Sequence, residues 1–132
     1  MHAVNVDSIP RLGPYSHAMA APPFLFLAGQ IPVVGATGEV LKGDVGAATE
    51  QVIQNIRTVL AAAGCDLTHV VKTTVFLTDM AHFSAMNAVY GAHFVTHHPA
   101  RSTVAVKALP GGADVEIEVV ALLPVAPVAP AR

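Results

Sequence analysis

The sequence has 132 residues, of which 53% are hydrophobic and 12% are charged, and its formal net charge is −2. This length suits one domain, and the seven lysines and arginines are scattered rather than grouped into the basic patch that binds a nucleic acid backbone. Charges and prolines interrupt every apolar run before it reaches the roughly 18 to 20 residues of a membrane span, and the N-terminus lacks the pattern of a signal peptide, so we expect a soluble cytoplasmic protein without nucleic acid or membrane partners.

The apolar excess predicts self-association. An average soluble domain has about a quarter of its residues charged, twice the share found in this chain. Surplus apolar surface on a soluble chain most often forms a subunit interface, and small chains commonly close such patches by cyclic symmetry. We therefore expect a homo-oligomer.

The first elements of the chain are two weak strand signals, at residues 2–6 and in PFLFLAGQIPV, residues 23–33. Residues 45–63 then place apolar side chains at helical spacing, which predicts an amphipathic helix with a polar outer face. Asp44 is placed to cap the start of this helix, and Gly64 is placed to end it.

The segment after this helix contains Cys65, the only cysteine, which can form neither an intrachain disulfide nor a thiolate zinc cluster and which we interpret as a packing residue. Residues 69–79 are rich in β-branched side chains and predict a strand that is mostly buried on both sides. Asp79 can cap a second amphipathic helix over residues 80–94. The apolar stripe of that helix consists of Phe83, Met86, Tyr90 and Phe94.

Two more strands are predicted, over residues 101–109 and 114–123, and the turn sequence PGG between them, residues 110–112, favours a hairpin or near-hairpin. These elements predict an α+β two-layer sandwich, a mixed sheet with two helices on one face. The strands are too apolar for the other face to stay in water, so we expect a partner subunit to cover it. The Pro- and Ala-rich tail, residues 124–132, is expected to be extended or disordered.

A single arginine begins the otherwise apolar, β-branched run PARSTVAV, residues 99–106. Strand alternation puts Arg101 and Thr103 on one face, while Glu116 and Glu118 share a face of the last strand, so we expect the acids to approach the arginine. The residues alone leave two interpretations open. Arg101 forms a structural ion pair with an acid or a helix C-terminus, which composition favours, or it clamps a small carboxylate with two parallel hydrogen bonds.

Other candidate sites have weaker support. His93 and His97 are spaced to chelate a metal on one helix face, but a suitable third ligand is missing nearby, and we expect no metal. Phosphate-loop, dinucleotide and nucleophile-turn motifs do not occur, so covalent catalysis by Ser or Cys is unsupported. The Gly-Pro turn of GPYSHA, residues 13–18, presents Tyr15 and Ser16, and Tyr15 is either packed on the core or faces a substrate.

Six motifs, taken together, resemble one family. GPYSHA, LAGQIP, VVKTTVFLTDM, MNAVY, PARSTV and VEIEVVAL follow one another between about residues 12 and 123 and are similar to those of the Rid family of reactive intermediate deaminases, the YjgF-like proteins, and of its RidA branch in particular. The resemblance implies one Rid-type domain over residues 1–123, with a chorismate-mutase-like α+β fold assembled as a homotrimer with pockets between subunits. It also implies hydrolysis of 2-enamine and 2-imine acids, such as 2-aminoacrylate (2-iminopropanoate) and 2-iminobutanoate, to 2-oxo acids and ammonia without a metal or organic cofactor.

The resemblance assigns chemical roles to three residues. The carboxylate-binding arginine of the family corresponds to Arg101, and the acid near its pocket corresponds to Glu116. Our hypothesis is that Glu116, with the Thr103 carbonyl, orients or deprotonates the attacking water and passes a proton toward the leaving nitrogen.

Further pocket positions follow from the same resemblance. Tyr15, Gly29 and Asn87 correspond to residues that line or support the pocket and are expected to contact substrate. Thr103 stands where many relatives have cysteine, a position used mainly through its backbone. Ala28 stands where the common pattern has serine, and this change removes a hydroxyl that could influence substrate preference.

Three rival functions belong to other classes of protein. A non-catalytic trimer could use the same pocket to bind or sense a small carboxylate. A ribonuclease or translation inhibitor, names that some family members carry, is disfavoured by the missing basic patch. A chaperone-like role would require the apolar surface to stay exposed.

Overall fold

A computed structural model describes residues 1–125, which form one mixed sheet and two α-helices. The strands are β1 (His2–Val4), β2 (Ala18–Ala21), β3 (Phe24–Gln30), β4 (Val70–Leu77), β5 (Ala100–Ala105) and β6 (Val115–Leu122), and the helices are α1 (Val45–Ala62) and α2 (Phe83–His93). The six strands are ordered β1-β2-β3-β6-β4-β5, with β4 and β5 parallel and the other pairs antiparallel. The α+β prediction is confirmed. The prediction for the tail falls largely on residues 126–132, which lie outside the described range.

Side-chain caps lie at the start of α1 and at the 3₁₀ turn that precedes α2. The Asp44 side chain accepts a hydrogen bond of 3.0 Å from the Ala47 amide at the start of α1, and Gly64 follows the helix with a positive φ of 75°. The Asp79 side chain caps a short 3₁₀ turn that leads into α2, accepting a hydrogen bond of 2.8 Å from the Ala81 amide. Both predicted helices are confirmed because these signals act within a few residues of the chain.

The predicted hairpin between the last two strands is wrong. β4 lies between β5 and β6, pairing parallel with β5 and antiparallel with β6. The connection passes around the end of β4, where the Val106 amide bonds to the Leu77 carbonyl and the Thr78 amide bonds to the Asp114 carbonyl. PGG does form a tight turn, Pro110–Gly112, but within this longer connection. The turn signal was local, whereas the choice of neighbouring strand was not.

The sheet has two unlike faces. On the helix face, the β4 side chains Val75 and Leu77 are fully buried. On the opposite face, here called the open face, Phe24 is 41% exposed and Phe26 is 45% exposed in the single chain. The β4 side chains Lys72, Thr74 and Phe76 are only partly buried, so the prediction that β4 is mostly buried on both sides holds for one face of this single chain. None of the helices within residues 1–125 is long and apolar enough to cross a bilayer.

Candidate active site

The arginine singled out from the sequence lies on β5, at the edge of the sheet. Arg101 is directly opposite Thr73 of β4, whose side chain is fully buried on the helix face. The guanidinium carbon of Arg101 lies 4.8 Å from the ring centroid of Tyr90 and 5.6 Å from that of Phe83. Both rings belong to α2, seven positions apart and therefore on one side of the helix. The charge is thus held against aromatic faces.

This environment bears on the two interpretations of Arg101. Among residues 1–125, no carboxylate forms an ion pair with its guanidinium, and the ion pairs found there involve histidines only. The structural ion pair expected from composition therefore has no acid in the described part of the same chain. A half-buried guanidinium without an acid partner keeps its charge and its in-plane donors available to a ligand.

Two further candidates have unpartnered polar atoms in the single chain. The Oδ1 atom of Asn87 and the Oγ1 atom of Thr103 are buried, and neither has a hydrogen-bond partner among residues 1–125. Leaving a buried polar atom unpaired costs about 1–3 kcal/mol. We call Arg101, Thr103 and Asn87, with Phe83 and Tyr90, the arginine half-site. Two of its buried polar atoms therefore lack hydrogen-bond partners within residues 1–125.

The other predicted residues line a cavity of about 220 Å³ on the opposite side of the sheet. Its lining consists of Leu12, Tyr15, Ala28, Gly29, Ile31, Pro110 and Glu116. We call Tyr15, Ala28, Gly29 and Glu116 the glutamate half-site. Burial of Glu116, and then the charge of Glu118 on the same face, raise the pKa of the Glu116 carboxyl above its ordinary value.

Close backbone approach explains the glycine of this half-site. The Glu116 side chain crosses directly over Gly29, so that a Cβ added at position 29 would lie 2.8 Å from the carboxyl carbon of Glu116. Real Cβ atoms do not come that close to other heavy atoms, and any side chain at 29 would displace the carboxylate. Gly29 therefore acts through Glu116.

The Gly-Pro loop holds Tyr15 by its own hydrogen bonds. The Leu12 amide donates to the Tyr15 hydroxyl at 3.1 Å, and the Arg11 guanidinium donates to the Tyr15 carbonyl at 3.3 Å. Tyr15 remains 43% exposed and lines the cavity, so it is not packed in the core. Ser16 lies in a neighbouring polar depression with Arg11 instead.

The two half-sites point to opposite faces of one sheet. Arg101 is opposite Thr73 on the helix face, whereas Glu116 is opposite Phe76 of β4, and residues 73 and 76 alternate to different faces. The expected approach of Glu116 and Glu118 to Arg101 is therefore wrong within one chain. Without the strand order, the parity of β5 could not be related to that of β6.

The histidine pair has separate partners. His93 bonds to the Glu50 carboxylate of α1, and His97 Nε2 lies 2.7 Å from the Val70 carbonyl oxygen. No group of three His, Cys, Asp or Glu side chains within residues 1–125 is arranged to hold a metal ion. Burial raises the pKa of the Cys65 thiol, which suits a packing residue better than a nucleophile.

Sequence reasoning missed the part played by two aromatic residues. Phe83 and Tyr90 were interpreted only as members of an apolar helix stripe, yet their rings face the Arg101 guanidinium. The only signal was their spacing on α2, and the same spacing also serves ordinary core packing.

Comparison with known families identifies the family of this chain. The family model described as "Endoribonuclease L-PSP" matches residues 6–123, which is nearly the whole described chain. The chain belongs to the YjgF/Rid family. The resemblance inferred from the six motifs is thereby confirmed.

Individual Rid relatives cover the chain at substantial identity. Protein DfrA of Myxococcus xanthus is 48% identical over 123 residues, 91% of this chain and 94% of that protein. The human 2-iminobutanoate/2-iminopropanoate deaminase is 40% identical over 111 residues, 84% of this chain and 81% of that protein. The crystal structure of E. coli TdcF with bound serine superposes with a TM-score of 0.87 at 33% identity, covering 92% of this chain and 98% of that one.

Proposed function

We propose that this Rid protein hydrolyses 2-enamine and 2-imine acids to 2-oxo acids and ammonia, in pockets formed between the subunits of a homotrimer. The observation that carries the proposal is the division of the candidate site. Among residues 1–125, Arg101 has no acid partner, while Glu116 lines a cavity on the opposite face. A second copy can bring the two half-sites together.

The open face supports assembly. Phe24, Phe26 and Leu122 are each more than 40% exposed in the single chain, and they lie on three neighbouring positions of paired strands β3 and β6. Burial of such a patch contributes about 25 cal/mol per Å² of apolar area. A cyclic trimer would cover this face and would place the arginine half-site of one subunit beside the glutamate half-site of the next.

In the composite pocket, Arg101 binds the substrate carboxylate through two charge-assisted hydrogen bonds. An enamine substrate first takes up a proton from solvent at its terminal carbon and becomes the protonated imine. Water then attacks the carbon of the protonated imine, and Glu116 accepts the proton that the water loses. Glu116 passes this proton to the nitrogen of the carbinolamine. The carbon–nitrogen bond then breaks and ammonia leaves, while the carbinolamine hydroxyl gives its proton to Glu116 and becomes the carbonyl of the 2-oxo acid.

The elevated pKa of Glu116 fits this use. A carboxyl whose pKa is raised by burial binds a proton more readily than an ordinary glutamate does, so it can hold the proton between attack and departure. The buried Asn87 Oδ1 and Thr103 Oγ1 atoms have no hydrogen-bond partner among residues 1–125, and in the composite pocket they accept hydrogen bonds from the water or the nitrogen.

A second candidate is a trimer that binds a small carboxylate without turnover. It uses the same arginine half-site, and the structure of the relative TdcF is described with bound serine, an amino acid with a carboxylate. The two candidates differ only in whether bound imine is consumed.

The first test generates 2-aminoacrylate in situ with a serine or threonine dehydratase and traps the remaining imine with semicarbazide. Wild-type protein is expected to lower the trapped imine, while Arg101→Ala leaves it at the level without added protein. Arg57→Ala, which removes an exposed arginine of α1, is the matched control and should behave as wild type. Equal trapping with and without wild-type protein would reject the deaminase and leave the binding trimer.

A further inference from the structure

We propose that Tyr90, assisted by Phe83, is a positioning residue that holds the face of the Arg101 guanidinium and so fixes the direction of its hydrogen-bond donors. This inference rests on the proposed function of Arg101 as the substrate anchor. The observation behind it is the contact of the guanidinium carbon with two rings, at 4.8 Å from Tyr90 and 5.6 Å from Phe83.

Aromatic rings can hold Arg101 and leave its charge free, whereas a carboxylate partner would neutralise that charge. A carboxylate partner would bind in the plane of the guanidinium, where its N–H donors point, and would neutralise its charge. A ring attracts the cation through the face of the group. Arg101 is therefore held in place while its charge and its in-plane edge remain free for a substrate carboxylate.

Tyr90 is itself fixed on both sides. Its hydroxyl forms a hydrogen bond of 2.8 Å with the hydroxyl of Thr73, and both side chains are buried. Its ring packs against Phe94 with centroids 4.6 Å apart and planes inclined by 31°. Burial raises the pKa of the Tyr90 phenol, so the ring stays neutral beside the cation.

The strand register places Arg101 opposite the residue that holds Tyr90. Thr73 on β4 is the residue directly opposite Arg101 on β5. Thr73 therefore holds the Tyr90 hydroxyl beside the position on β5 at which the Arg101 side chain begins. The backbone pairing, the hydroxyl bond and the ring contact together leave the guanidinium little freedom. The ring of Phe83, which is more exposed, gives the guanidinium a second contact at 5.6 Å.

Three variants separate the contributions of the Tyr90 ring, the Tyr90 hydroxyl and general core packing. Tyr90→Leu removes the ring, and Tyr90→Phe keeps the ring but removes the bond to Thr73. Leu25→Val shortens a fully buried side chain of β3, which β6 and β4 separate from β5. Thermal melting and sedimentation on each variant verify that fold and assembly persist. Leu25→Val is the matched control for loss of packing.

Two measurements test the positioning. The first is the heteronuclear NOE of the Arg101 Nε–H group, which reports its motion whether or not a ligand binds. We expect a rigid signal in wild type, Tyr90→Phe and Leu25→Val, and a mobile one in Tyr90→Leu. The second is the Kd for 2-oxobutanoate, the product of 2-iminobutanoate hydrolysis, together with KM and kcat. Tyr90→Leu should weaken binding and raise KM by about tenfold with little change in kcat, and Tyr90→Phe by less than about threefold.

The outcomes distinguish this inference from the function on which it rests. An equally rigid Arg101 in Tyr90→Leu, or an equal loss of affinity in Leu25→Val, would overturn the positioning role even if wild type is an active deaminase. A wild type that neither turns over imine nor binds 2-oxobutanoate would reject the proposed function, while the NOE comparison would still decide whether Tyr90 immobilises Arg101.

Discussion

The arginine half-site and the glutamate half-site are built in different ways. Arg101 stands on a strand, its guanidinium packed against two rings of α2. Tyr15 stands on a loop and is 43% exposed, and Glu116 lies across the bare backbone of Gly29. The first half-site fixes a charge within a rigid core, whereas the second borders an open cavity. Under the proposed function, changes in the loop alter which substrates fit without disturbing Arg101, the proposed anchor of their carboxylate.

The strongest test of this comparison asks whether the half-sites work across subunits. Arg101→Ala and Glu116→Gln chains, each inactive alone, are co-expressed with different affinity tags and purified by both tags in turn. Each mixed trimer should contain one pocket with both native residues, so the preparation should regain about one third of wild-type activity. Mixed trimers as inactive as either parent would place the two residues in separate functions.

The second test separates binding from chemistry. Glu116→Gln should lower kcat for imine hydrolysis by about 100-fold, because the amide cannot accept a proton from water. Binding of 2-oxobutanoate should persist, because Arg101 is unchanged, whereas Arg101→Ala should abolish binding. Calorimetric titration of both variants checks the split. Wild-type turnover in Glu116→Gln would remove Glu116 from the mechanism.

A smaller effect on kcat is expected from a substitution of Gly29, which lies beneath the Glu116 carboxylate. Gly29→Ala should reduce kcat by about tenfold, because the added methyl group displaces Glu116 from the cavity wall. Gly91→Ala is the control, since nothing lies within 4 Å of a Cβ at that exposed helical position, and it should preserve activity and raise stability by about 0.5–1 kcal/mol. Steady-state kinetics with thermal melts compare the two. If Gly29→Ala matches Gly91→Ala in activity, the close approach has no role in catalysis.

The smallest expected effect concerns the support of the Tyr15 loop. His17 is 2% exposed, and its Nδ1 accepts a hydrogen bond of 3.1 Å from the Val6 amide. Burial, and then the charge of Arg11, lower the pKa of His17 in the folded protein. As the pH falls below about 6.5, the unfolded chain binds a proton first, so the free energy of unfolding decreases.

This pH effect has a direct control. His17→Gln retains an oxygen that can accept from Val6 but does not titrate, so it should lose less stability than wild type between pH 7.5 and 5.5. Urea unfolding at the two pH values, about one unit on either side of the ordinary histidine pKa, measures the difference. An identical pH dependence in both proteins would show that His17 does not contribute.

The sequence predicted the features that depend on residues close together in the chain, such as helix ends. Asp44 and Gly64 bound α1 because a side-chain cap and a positive φ act within one turn of the chain. β2, Ala18–Ala21, was missed because a run of small residues carries no strand pattern. The hairpin was wrong because PGG specifies a turn and not which strands become neighbours.

The candidate site shows the same limit at longer range. Arg101 and Glu116 were identified from motifs, but their placement on opposite faces depends on β4 lying between β5 and β6. The support of Arg101 by Tyr90 was not predicted either. Helical spacing cannot distinguish a ring that fills the core from a ring that carries a cation.

The position of β5 at the edge of the sheet has a further consequence for newly synthesised chains. Among the described residues its outer backbone edge pairs with no other strand, and the aromatic open face is uncovered in the single chain. A newly synthesised chain with such an edge is prone to join foreign strands and form aggregates. The proposed trimer would remove the open face from water, so unassembled chains are expected to aggregate more readily than assembled ones.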